Sequence, residues 1–119
     1  MNGDVIKMKF PAKPDYMIAI RLAVSAIAER AGFGIDDIED IKVASAEACG
    51  LLLCAKAKEM DITVTVGGGL KIEAAAVGET VGSGDAGEMS QYLLEALVDE
   101  CALNEKNGAL KSVTIYKRK

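Results

Sequence analysis

Val43-Ala44-Ser45-Ala46-Glu47-Ala48-Cys49-Gly50-Leu51-Leu52-Leu53-Cys54-Ala55 is apolar on every side and carries one charge, Glu47. A helix that is hydrophobic all round is a buried one, so this stretch predicts a helix enclosed by the rest of the chain. A carboxylate inside it must find a partner, a ligand or a proton, because burying it unpaired costs several kcal/mol or moves its pKa upward.

Upstream, the acids Asp36, Asp37, Glu39 and Asp40 suit the first turns of the same helix, where the macrodipole favours negative charge. Ile38, Ile41, Ser45, Ala48, Leu52 and Ala55 form one face of it, and Glu47, Leu51 and Cys54 another; the helix is expected to run to about Lys58. Before it, Gly32-Phe33-Gly34 closes a helix of about Asp15 to Ala31, whose Met17, Ile20, Val24, Ile27, Ala28 and Ala31 recur at spacings of three and four. Pro14 suits the first turn of that helix. Val5 to Phe10 alternates loosely and stops at Pro11, as an edge or near-edge strand does.

Downstream, Asp61 to Val66 and Leu70 to Ala76 read as a hairpin closed by Gly67-Gly68-Gly69, a turn expected to need positive φ. Val77 to Gly87 reads as a glycine-rich loop. A third helix is expected over Glu88 to Glu100, built around Met89, Leu93, Leu94, Leu97 and Val98. A short strand at Cys101 to Asn104, a turn at Glu105 to Gly108 and a strand from Ala109 to Lys117 complete the chain. The order β, α, α, β, β, α, β, β predicts a two-layer α/β (α+β) sandwich, with helices on one face of a mixed, mostly antiparallel sheet.

At 119 residues the chain suits one domain, residues 1–119, and with 50% hydrophobic but only 4% aromatic residues its core must be aliphatic. The net charge of −4 argues against direct nucleic-acid binding, and the basic end Lys117-Arg118-Lys119 reads as a solvated tail. There is no histidine, and the three cysteines Cys49, Cys54 and Cys101 form no CxxC pair. A zinc site, a disulfide framework and a histidine-activated nucleophile are therefore disfavoured; Cys49 and Cys54 are read as small hydrophobes. No leader is visible at Met1-Asn2-Gly3-Asp4 and no run is long enough for a membrane span, so a cytoplasmic protein with no membrane contact is expected.

Gly82-Ser83-Gly84-Asp85-Ala86-Gly87 fits G-x-G-x-x-G but lacks the strand immediately before it, so it reads as a flexible surface turn rather than a phosphate cradle. Among the acids, only Glu47 lies in surroundings that could suit it to general-base work. The alternative for Glu47 is a buried acid bonded to a neighbouring helix or loop.

The order of elements, with Phe10-Pro11-Ala12-Lys13-Pro14, Arg21, Asp37-Ile38-Glu39-Asp40-Ile41-Lys42, Ser45-Ala46-Glu47-Ala48 and Leu94-Glu95-Ala96-Leu97-Val98-Asp99-Glu100, resembles the anti-sigma factor and serine-protein kinase family, whose domain has the histidine-kinase-like ATPase fold. The resemblance covers nearly the whole chain. It implies that Glu47 stands at the general base that phosphorylates a serine of an antagonist protein. Four residues on, where the family has an Mg²⁺-binding Asn, stands Leu51. In the family's adenine-binding D-x-G, Ala76 replaces the Asp and Gly78 keeps the Gly. At the two glycines of the phosphate lid stand Glu88 and Ser90, and the lid is shorter than the family's. Arg21 matches an arginine of the first helix that contacts partner proteins.

The expectation is an anti-sigma-factor-like regulator of transcription, a pseudokinase that acts by protein–protein binding, with nucleotide binding and kinase activity lost and no metal. Its expected partner is a sigma factor or an anti-anti-sigma-like protein, and the chain is expected to form a homodimer. The alternative is an active serine-protein kinase that uses ATP and Mg²⁺ to phosphorylate an anti-anti-sigma factor.

Overall fold

The computed structural model describes residues 3–119; Met1 and Asn2, part of the leader reading, lie outside them. The chain runs β1 (Val5–Pro11), a 3-10 turn (Pro14–Tyr16), α1 (Met17–Arg30), α2 (Ile35–Cys54), β2 (Glu59–Val66), β3 (Gly69–Val77), α3 (Gly84–Leu97), β4 (Glu100–Lys106) and β5 (Ala109–Arg118). The strands form one sheet in the order β1-β2-β3-β5-β4, which puts β1 on an edge as its sequence implied. All four ladders are antiparallel. The expected mixed sheet does not form, because β3 and β4, joined through α3, run in the same direction but have β5 between them.

Each strand turns alternate residues toward the helices. In β2 these are Met60, Ile62, Val64 and Val66, all buried, whereas Glu59, Asp61, Thr63 and Thr65 face the other way. Ile72 and Ala74 of β3 and Val113 and Ile115 of β5 continue the inner layer, and Ile20, Val24 and Ala28 of α1 and Ile41, Ala48 and Leu52 of α2 cover it. Helices on one face of an antiparallel sheet, over an aliphatic core, are thus the architecture. Among the described residues no helix is long and apolar enough to cross a membrane.

Helix ends are where sequence and structure part. At α1, Gly32 takes φ 95°, its N–H bonding the Glu29 carbonyl while the Phe33 N–H reaches Ala28, so buried Phe33 seals the end. The same closure ends α2 at Cys54 rather than near Lys58: Lys56 adopts φ 66°, its N–H bonds the Leu53 carbonyl, and that of Ala57 bonds Leu52. No glycine announces it. As α2 emerges there, Cys54 is exposed, against its reading as a buried hydrophobe.

α3 begins at Gly84, four residues before the expected Glu88, and stops at Leu97. The half-motif Gly84 to Gly87 is therefore helix, not surface turn. Leu94 and Val98 are buried as expected, but Met89 and Leu93 point outward, 74% and 40% exposed.

In the first hairpin none of Gly67, Gly68 or Gly69 has positive φ. Gly69 is needed for close approach instead: a Cβ there would sit 2.6 Å from the Tyr116 hydroxyl and against the Lys117 carbonyl oxygen. The second hairpin turns on only Asn107 and Gly108, at φ 54° and 78°, so β4 extends to Lys106.

Candidate functional site

α2 is the common neighbour of α1, α3, β3 and β5, and Glu47 lies on its flank toward α3. Gly87 leaves room for the start of α3 and for β4: a Cβ there would collide with the Ser83 side chain and lie 3.6 Å from Leu103. Gly87, Ser90 and Leu94, at the spacing of one helix face, point inward and are buried. Ser90, 6% exposed, donates its hydroxyl hydrogen bond to Glu47 Oε1 at 2.5 Å. The acid in the apolar helix has its partner, and it is a hydroxyl of the same chain. Among the described residues Glu47 makes no ion pair.

One turn beyond Glu47, Leu51 is 3% exposed and belongs to the continuous apolar core. Ala76, near the end of β3, is half-buried against that core. Gly78 takes φ 91° directly after β3, with the Lys58 side chain 3.4 Å from where a Cβ would be.

The lid between β3 and α3 is the short segment 78–83. The Val81 N–H bonds the Ala55 carbonyl at 2.9 Å, the Val81 carbonyl accepts from the Leu110 N–H at 3.0 Å, and the Thr80 hydroxyl donates to the Leu110 carbonyl at 2.5 Å. Gly82 lies against the Gly108 carbonyl so closely that a Cβ would be 2.7 Å from it. The lid is laced to the end of α2 and the start of β5 by the chain itself. Beside it is an open cleft of about 500 Å³ whose charged lining is Asp85, Glu88 and Glu105, with no lysine or arginine.

The sequence-predicted positions are therefore not all one site. Glu47 and Ser90 touch, Leu51 is one turn away and Ala76 packs on the shared core. Glu88 faces solvent on α3. Arg21 is on exposed α1 surface, between Ile18 and Leu22, which are 64% and 60% exposed, and it makes no ion pair among the described residues.

Two features went unread in the sequence. Ser90 was counted only as a missing glycine, although its spacing with Gly87 and Leu94 marks the inner face. Lys117, assigned to a solvated tail, is a clamp: its Nζ donates to the Leu97 carbonyl at 2.6 Å and lies 3.4 Å from Asp40 Oδ2 and 3.7 Å from Asp37 Oδ1. The parity of Val113, Ile115 and Lys117 along β5 placed it on the inner face.

Of the thiols, burial pushes Cys49 up to about 12, and burial followed by the nearby Glu95 charge raises Cys101. Neither is suited to act as a thiolate. Among the described residues no three His, Cys, Asp or Glu side chains gather as a metal set.

No family model matches the chain. It is 31% identical to the serine-protein kinase RsbW of Bacillus subtilis (strain 168) over 139 aligned positions, which take in 97% of this chain and 87% of the relative. To the serine-protein kinase RsbW of Bacillus licheniformis it is 35% identical, over 96% of this chain and 86% of that one. In solved structures, the crystal structure of the RsbU and RsbW domains of Rv1364c from Mycobacterium tuberculosis superposes with a TM-score of 0.76 at 16% identity, covering 97% of this chain and 32% of that longer one. The histidine-kinase-like ATPase fold that the sequence implied is thereby the fold of this chain.

Proposed function

The chain belongs to the RsbW serine-protein kinase family, and from that membership we propose that it is an anti-sigma-factor-like regulator of transcription that works by binding protein, its nucleotide site closed and its kinase chemistry lost. The observation that carries this reading is the Ser90–Glu47 hydrogen bond beside buried Leu51. A general base must be free to accept the proton of its substrate. Here one carboxylate oxygen already accepts a hydrogen bond from a hydroxyl of its own chain.

The surroundings fit Mg-ATP poorly. Mg²⁺ is held by oxygen ligands, and the position facing it in the family is a leucine within the core. Phosphates are met by backbone N–H groups and cations, whereas the lid N–H of Val81 is spent on Ala55 and the adjoining cleft is lined by carboxylates. Ala76 offers adenine no acceptor. Alignments of 139 positions against 119 residues also mean that the relative carries segments without counterpart here, in keeping with a shortened lid.

Partner binding is assigned to the outer face of α1, where Arg21, without an ion pair among the described residues, stands between exposed Ile18 and Leu22 with Tyr16 nearby. An arginine flanked by apolar surface is the composition of an interface centre rather than of a plain solvated face. The partner class is a sigma factor or an anti-anti-sigma-like protein. A homodimer belongs to the same reading and is supported by the unpaired edge of β1 with Val5 half exposed.

The alternative, an active serine-protein kinase, has retained Glu47 in its favour. Calorimetry with Mg-ATP separates the two: no heat at millimolar nucleotide is expected, and saturable micromolar binding overturns the closed-site reading. Affinity capture with mass spectrometry, run on the wild type and on Arg21→Ala, tests the partner surface. Loss of the captured protein in the variant is expected, and equal capture removes Arg21 from the interface.

A further inference from the structure

α3 has a second apolar stripe that covers nothing. While Gly87, Ser90 and Leu94 face inward, Met89, Tyr92 and Leu93 lie at i, i+3 and i+4 on the outside, 74%, 77% and 40% exposed, and Ala96 continues the line. A stripe of this kind, sustained over two turns and rimmed by charge, marks a surface for association. We propose that this face of α3 is a docking site for a basic amphipathic helix of another protein, a surface separate from α1 and independent of the fate of the nucleotide site.

Charge selects the occupant. Asp85, Glu88 and Glu95 border the stripe, Asp99 and Glu100 follow it, and no lysine or arginine occurs between Lys71 and Lys106. A second copy of this chain would bring like charge against like charge, which costs affinity. Anionic lipid headgroups and nucleic-acid phosphates would be repelled in the same way. A partner with lysine or arginine beside an apolar ridge meets both features at once.

The surface also has a place for one such cation. A shallow pocket of about 300 Å³ is lined by Glu88, Gln91, Tyr92 and Glu95. Glu88, Tyr92 and Glu95 fall at i, i+4 and i+7, so two carboxylates flank one aromatic ring; the Gln91 amide donates to Glu95 at 3.3 Å and steadies it. A guanidinium or ammonium group there gains ion pairing and a cation–π contact together. The helical spacing of the stripe favours a helix as the partner element, with ridges packed into grooves.

The test titrates the ¹⁵N-labelled 119-residue chain with a synthetic amphipathic peptide of about 18 residues, some five helical turns, with leucine on one face and lysine on the other. A second peptide carries glutamate in place of lysine. The expected result is amide shifts centred on α3 with the lysine peptide and none with the glutamate peptide. Met89→Ala/Tyr92→Ala and Glu88→Lys/Glu95→Lys should each weaken binding about tenfold, equivalent to about 1.4 kcal/mol, the second pair admitting the glutamate peptide, while Arg21→Ala changes nothing. These residues are exposed, so folding is retained. Equal binding of both peptides, shifts away from α3, no binding, or a loss in Arg21→Ala overturns the proposal. So does a dimer in sedimentation that Met89→Glu dissolves, or binding to phosphatidylserine vesicles that Tyr92→Ala abolishes.

Discussion

The Ser90 hydroxyl and the Glu47 carboxylate meet at 2.5 Å across the boundary between α3 and α2. This contact joins the two helices, and the closed-site proposal rests on it. Ser90→Ala leaves a half-buried carboxylate oxygen without its donor and should cost about 1–3 kcal/mol in urea unfolding. Replacing both partners in Glu47→Leu/Ser90→Ala should recover a large part of that loss. Strictly additive effects in the double-mutant cycle would show that the two side chains do not interact in solution.

Leu51→Asn tests the closed-site proposal by introducing the residue type that the family resemblance implies for the metal. Because Leu51 is 3% exposed and surrounded by core, the amide should be buried unpaired and the variant should lose about 2–4 kcal/mol. Thermal unfolding with and without Mg-ATP should give the same midpoint. A nucleotide-dependent rise would mean that the pocket lacks one ligand rather than being closed.

Lys117 neutralises the acidic start of α2 and caps the carboxyl end of α3 with a single ammonium group, its side chain 16% exposed. Lys117→Met keeps the stem and removes the charge, leaving the Leu97 carbonyl and two carboxylates without their donor. A loss of about 1–3 kcal/mol is expected. Hydrogen exchange should speed up first in the last turn of α3, and uniform acceleration across the sheet would contradict a clamp role.

Lys56 holds a left-handed conformation at φ 66° that costs a non-glycine residue about 1–2 kcal/mol. Lys56→Gly should raise the unfolding midpoint, with a net gain of about 0.5–1 kcal/mol after the added flexibility of glycine in the unfolded chain. An unchanged or lower midpoint would mean that the lysine side chain contributes more than its backbone strain.

Thiol chemistry should divide the cysteines. At pH 8, iodoacetamide should modify exposed Cys54 quickly, Cys101 slowly and Cys49 only on unfolding. The Cys49 thiol rises from its ordinary 9.0 to about 12 by burial, so the folded state holds this proton more tightly than the unfolded state. Its contribution is fully present below pH 9 and is lost as the pH climbs toward 12. Cys49→Val should flatten that alkaline decline, and an unchanged profile would place its cause elsewhere.

Periodicity made most elements legible. The inward faces of α1 and α2 follow from spacings of three and four that no other arrangement satisfies, and the hairpin from Asp61 onward follows from alternation. Boundaries were less so. α2 runs short because Lys56 takes a conformation that sequence reserves for glycine, and α3 starts early because Gly84 to Gly87 are helical where their composition suggested a turn. The Gly67 to Gly69 turn failed for a related reason: Gly69 is glycine because β5 crowds it, a contact that lies far away in sequence.

By itself, the sequence determined that α2 is buried, that Glu47 is the one charge in its apolar stretch 43–55, and that the layers are helix on sheet. These follow from residue type and local spacing. Only the tertiary structure decided who answers Glu47, that Lys117 leaves the tail to join α2 and α3, and that Met89, Tyr92 and Leu93 look outward. Each of those depends on how α3 is seated against α2 and the sheet, and that seating rests on long-range burial of residues such as Leu94 rather than on the order of residues within α3.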